Sequence, residues 1–168
     1  METKENKKSK LSINDSYDLQ LVNNTNPVLR WVLMLPIGFL AILIVQLAYG
    51  FIFNKLLSEF ATIGAVGIIV NSIFIAMKYC VFVVAMVATA PVARKNKLQA
   101  SMACAFIALL VAFGSTYYLY SNAVSVDWPM LISTSVACLL GISWAVWNVR
   151  VVTSKPLPAT QEAEPPMQ

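Results

Sequence analysis

From Phe60 to Lys97 the chain reads FATIGAVGIIVNSIFIAMKYCVFVVAMVATAPVARKNK, and before Pro91 it carries a single charge, Lys78. A helix rises about 1.5 Å per residue, so roughly 20 such residues cross a hydrocarbon core of about 30 Å. A lone strand in lipid would leave its backbone polar groups without partners, so the crossing has to be helical. Pro91 lacks an N–H and stops the helix, and Arg94, Lys95 and Lys97 mark the return to water. The expectation is one transmembrane helix over about 69–91. Its apolar lead-in, residues 60–68 with Gly64 and Gly67, either lies in the interface or lengthens that helix.

Working outward, three further runs are long and apolar enough to cross: about 31–53, 100–120 and 129–149, the last framed by Asp127 and Arg150. The whole composition agrees. Of 168 residues, 58% are apolar and 12% charged, where a soluble domain normally carries about a quarter charged. The predicted fold class is therefore an all-α integral membrane protein, with four transmembrane helices in an antiparallel up-down bundle. A disordered chain, a disulfide scaffold and a nucleic-acid-binding domain are excluded by the same balance. The predicted organisation is a disordered segment 1–27, a transmembrane domain 28–150 and a disordered, proline-rich tail 151–168. The first span follows a polar segment and exceeds a signal-peptide apolar core, so it is expected to stay as an anchor.

Lys and Arg are retained on the cytoplasmic side during insertion. With both ends inside, Lys4, Lys7, Lys8, Lys10, Arg30, Arg94, Lys95, Lys97, Arg150 and Lys155 fall there, ten of the 12 basic residues. This reading assigns the +4 net charge mainly to topology and places both termini in the cytoplasm, with a bacterial cytoplasmic membrane as the setting. Tyr49, Tyr117, Tyr118, Tyr120 and Trp128 fall near one predicted boundary and Trp31, Trp144 and Trp147 near the other, where aromatic rings anchor helices.

Membrane helices associate where small residues let backbones approach. Ala100, Cys104, Ala108 and Ala112 recur every four residues in the third span, and Ser133, Ala137, Gly141 and Ala145 do so in the fourth. These two faces are expected to meet each other; a second copy of the chain is the other possible partner. Pro36 is expected to kink the first span or to end a short leading turn.

Several chemistries lack their residues. There is no histidine, so imidazole ligation of haem or zinc and imidazole base catalysis are closed. No Asp or Glu lies in any predicted span, which removes carboxylate proton relays. Cys80, Cys104 and Cys138 fall one per span without a CxxC pair and read as small core residues. The sequence thus predicts no catalytic residue, no metal site, no cofactor and no enzyme.

Lys78 is the exception that needs an account. A cation deep in a span costs about 2.5 to 3.5 kcal/mol on insertion scales. Gln46, Ser115, Thr116 and Ser135 fall at similar depths on the other helices, and Asn71 shares the Lys78 face one heptad away. One reading makes these six residues an intramembrane polar site for an anion, a lipid headgroup or a partner's carboxylate. The other lets Lys78 snorkel past Asn71 while the hydroxyls bond their own helix.

The turn Ala88-Thr89-Ala90-Pro91 followed by Arg94, Lys95 and Lys97 resembles a pattern in small, uncharacterised four-span bacterial membrane proteins. That resemblance covers about spans two to four and implies no activity. Size and span number are also similar to immunity proteins against pore-forming bacteriocins, in shape only. The function expected is a non-enzymatic multi-pass membrane protein that contacts another membrane protein, as accessory subunit or immunity-type factor. The alternative is a small oligomeric permease or channel for an anionic solute that uses Lys78. Expected partners are the lipid bilayer and either another membrane protein or further copies of the chain, with no nucleic acid.

Overall fold

The computed structural model describes residues 13, 17–19, 25–60, 64–123 and 125–155. Four long helices dominate: α1 (Pro27–Phe60), α2 (Gly64–Thr89), α3 (Lys97–Ser121) and α4 (Trp128–Ser154). A single 3-10 turn, Arg94–Asn96, leads into α3, and among the described residues the only β pairing is one bridge between Ile13 and Leu19. Each helix contains a stretch long and apolar enough to cross a membrane: Pro27–Ile52, Val66–Thr89, Arg94–Ser121 and Trp128–Ser154.

The helices outrun the expected spans. α1 begins four residues early and continues to Phe60, and it passes through Pro36 as one helix rather than ending there. Residues 64–68 belong to α2, so that part of the apolar lead-in extends the helix. α4 starts where Asp127 caps it: the carboxylate accepts from the Met130 N–H at 3.2 Å, and Pro129 stands in the first turn, where its missing donor costs nothing. The helix runs on to Ser154, so the first four residues of the proline-rich tail are helical, while 156–168 lie outside the described residues.

Consecutive helices run antiparallel, as bonds between their ends require: Arg30 of α1 reaches the end of α2, and Arg94 donates to the Val152 and Lys155 carbonyls at the end of α4. The arrangement is not a square bundle. α2 is the hub, packed most extensively on α4 and α1 and less on α3, while α1 has no extensive contact beyond α2. The expected marriage of the third and fourth spans through their small faces needs correcting. Ala137, Gly141 and Ala145 are indeed buried, as are Cys104, Ala108 and Ala112, with Ala100 and Ser133 half-buried. But the α4 row lies tightest against α2: a Cβ on Gly141 would stand 2.1 Å from the Ala76 carbonyl oxygen. Ser133 meets Ser72 across the same seam, hydroxyl to hydroxyl at 2.5 Å. The reason is that α2 has its own small row, Ser72, Ala76 and Cys80, four residues apart. α2 and α4 run parallel, and backbone-to-backbone packing wins wherever both faces are small. On the far side of α2, Gly38 of α1 leaves room for Phe82 and Met86, whose atoms lie 2.7 and 2.8 Å from where its Cβ would be.

The core is lopsided. Phe82, Val83, Met86 and Val87 are fully enclosed, together with Ala108 and Val149, so close packing belongs to the half of the molecule holding the 90–97 turn. The outer faces of all four helices carry large exposed apolar side chains such as Leu43, Ile73, Phe106 and Leu140, the surface a bilayer would cover.

Candidate functional site

Above that packed half, towards the 121–127 loop, α3 and α4 separate, and a cavity of about 480 Å³ opens between them and α2. Lys78 and Tyr79 contribute from α2, Ser115 and Thr116 from α3, and Thr134, Ser135 and Cys138 from α4; Asn71 lies one heptad from Lys78 along α2. Ser115 and Ser135 are exposed, so the cavity opens sideways as a cleft. A second, smaller cavity of about 130 Å³ lies on the α1 side and is lined by Gln46, Tyr49, Asn71 and Lys78. Lys78 and Asn71 therefore border both spaces. All six residues expected from depth and helix face line one cavity or the other: Asn71, Lys78, Ser115, Thr116 and Ser135 the larger, and Gln46, with Asn71 and Lys78 again, the smaller.

The hydroxyls are only partly occupied with their own helices. Ser135 donates to the Leu131 carbonyl at 2.8 Å, Thr134 to that of Met130 at 2.8 Å, and Ser115 to that of Ala112 at 2.9 Å. Ser115 also pairs with the Tyr79 phenol at 3.3 Å, tying α2 to α3 at the cleft floor. A serine or threonine oxygen that donates to its own backbone keeps lone pairs but spends its proton. Lys78 brings the one charged donor among the residues lining the cleft. Its ammonium stands 5.6 Å from the centre of the Tyr79 ring, a weak cation–π contact, and no ion pair or hydrogen bond reaches it among the described residues. None of the four candidate spans contains an Asp or Glu to answer it.

The other buried charges were absent from the sequence reading, which counted Arg30, Arg94 and Lys97 as topology signals. The last four carbonyls of a helix have no helical donor. At the end of α2 the loss begins at Val87, whose donor would be the N–H that Pro91 lacks. Lys97, wholly buried, donates to the Val87 carbonyl at 2.9 Å and to that of Ala90 at 2.8 Å. Leu19 N–H serves Ala88 at 2.9 Å and Arg30 Nε serves Thr89 at 3.0 Å. Asp18 supplies the countercharge, its Oδ1 accepting from Arg30 at 2.5 Å and from Lys97 at 2.8 Å. Tyr17 beside it is buried in the bundle end with a left-handed φ of 62°. These residues fall in the segment expected to be disordered, and at 17–19 the chain is instead a strap packed across the end of the bundle; most of the rest of 1–24 lies outside the described residues. Pro91, six residues before Lys97, was the available signal, because a proline-terminated helix announces orphan carbonyls.

No protein family matches the sequence, and neither the curated proteins nor the solved structures give a match.

Proposed function

We propose that this chain is a non-enzymatic multi-pass membrane protein that binds an acidic group of a second membrane protein at Lys78, as an accessory subunit or immunity-type factor. The observation that carries this reading is a cation near the middle of the Val66–Thr89 span, at a laterally open cleft, in a chain with no carboxylate in any span. An uncompensated cation in that position costs several kcal/mol, which an Asp or Glu entering from a neighbouring helix would offset. The residues of the cleft include no nucleophile paired with a base, so binding rather than turnover is their chemistry. Both termini lie in the cytoplasm and the membrane is a bacterial inner membrane in this proposal, on the strength of the basic residues gathered at the end with the 90–97 turn. The Ala88–Pro91 turn and its basic loop also support kinship with small four-span bacterial membrane proteins.

The second reading, an oligomeric permease or channel for an anionic solute, is favoured by one feature. Lys78 borders cavities on both sides of α2, and the larger has the volume of an ordinary small-ligand pocket, about 300–1,000 Å³.

Extraction in mild detergent followed by mass spectrometry and molar-mass determination separates the two. The partner reading expects a second membrane protein in stoichiometric amount, lost from Lys78→Met and kept by Lys78→Arg. A pure oligomer that passes anions in liposomes, with flux altered by Lys78→Met, would overturn it in favour of the permease.

A further inference from the structure

The strap at the opposite end of the molecule presents a second binding question, independent of Lys78. Arg30 and Lys97 are almost fully withdrawn from solvent, with side-chain exposures of 9% and 0%, and a single carboxylate oxygen serves both. The three formal charges sum to plus one. Burying an uncompensated charge is expensive, so the niche is built for more negative charge than one aspartate brings. Its position is equally telling. Arg30 lies one turn inside the start of the Pro27–Ile52 span and Lys97 one turn inside that of Arg94–Ser121, which puts both at the level of lipid headgroups. The amino-terminal ends of α1 and α3 converge there as well, and both dipoles favour an anion. The present occupant is held at some cost. Tyr17 adopts a left-handed backbone that residues other than glycine rarely accept, and among the described residues the strap's backbone bond to the bundle is the one from Leu19 to Ala88.

We propose that Asp18 stands in a binding site for the phosphate of an anionic lipid headgroup, and that such a lipid displaces the strap from the bundle end. Arg30 and Lys97 share the Oδ1 of Asp18, whereas a phosphate has a separate strong acceptor oxygen for each and can answer both in charge-assisted bonds. Its departure from the niche returns Asp18, so the cations are never left alone. Anionic lipids attract basic groups at the membrane surface, which acts in the same direction.

Amide exchange of a peptide containing Leu19 tests this on the full chain in nanodiscs, with the 121–127 loop as internal reference. Three conditions are compared: phosphatidylcholine alone, phosphatidylcholine with phosphatidylglycerol, and phosphatidylcholine with added inorganic phosphate. The expected result is slow exchange in the first and third and exchange about tenfold faster or more with phosphatidylglycerol, as the strap opens. Asp18→Asn is expected to exchange fast in all three and to retain several-fold more phosphatidylglycerol on delipidation, with helix content unchanged. Equal exchange with and without phosphatidylglycerol in the wild type overturns the proposal whether or not the variant folds. Release by inorganic phosphate alone would overturn the lipid assignment and make the ligand a free oxyanion.

Discussion

Lys97 and Lys78 are both lysines withdrawn into apolar surroundings, and the protein treats them in opposite ways. Lys97 uses all three of its donors, on the Val87 and Ala90 carbonyls and on Asp18, and it closes a helix end that Pro91 leaves open. Lys78 has a ring beside it and a cavity in front of it. The first is part of the scaffold, because removing it leaves the Val87 carbonyl without its donor and takes one of two cations from Asp18. The second leaves no acceptor orphaned among the described residues when it is removed. Burial alone therefore does not separate the two cations; the count of their satisfied donors does.

This contrast can be broken by experiment. Lys97→Met is expected to lower stability by about 2 to 4 kcal/mol in a denaturant titration in detergent, since it orphans the buried Val87 carbonyl and removes a charge-assisted bond from Asp18, which keeps Arg30. A loss below about 1 kcal/mol would show that water or lipid fills the niche just as well. Gly141→Ala is next: its new methyl would meet the Ala76 backbone, and forcing α4 off α2 should cost about 1 to 3 kcal/mol. An unchanged denaturation midpoint would mean that the seam between α2 and α4 is looser than described. Ser72→Ala removes the hydroxyl contact with Ser133 and should cost only about 0.6 kcal/mol. Lys78→Met sharpens the comparison from the other side, for it should leave stability within about 0.5 kcal/mol or raise it, while abolishing anion or partner binding. A destabilisation as large as that of Lys97→Met would move Lys78 into the scaffold.

Tyr17 adds a pH dependence to the strap. Burial, and secondarily the nearby Cys80 thiol, raise its phenol above the ordinary value of 10.0. The neutral phenol is the form that fits, so docking of the strap is fully present below pH 10.0 and fades as pH rises through the higher folded value. Tyr17→Phe should reduce that alkaline loss, as read by the exchange of Leu19, with the remainder belonging to the Lys97–Asp18 pair.

The four spans were legible because the sequence has to satisfy one rule per crossing, and charge is absent wherever lipid is met. Helix depth also brought Gln46, Asn71, Lys78, Ser115, Thr116 and Ser135 to adjoining cavities, since 1.5 Å per residue is the same ruler on each helix. Helix rotation was less legible. The small rows of α3 and α4 were plain, but the shorter Ser72, Ala76, Cys80 row of α2 hid among larger neighbours, and it decides where α4 sits. Least legible was the strap. Arg30 and Lys97 carry the same letters whether they face headgroups or fill a niche, and Asp18 sits 79 positions from its partner Lys97.

That separation also sets an order of events during synthesis. At about 5 to 20 residues per second, Asp18 leaves the ribosome roughly 4 to 16 s before Lys97 does. Asp18 is made ahead of the four described helices and waits for its cation. When the turn after α2 arrives, Lys97, the first residue of α3, finds its countercharge already translated. A chain permuted to begin at α2 would have to bury Lys97 without it, and would be expected to stall in the membrane at that step.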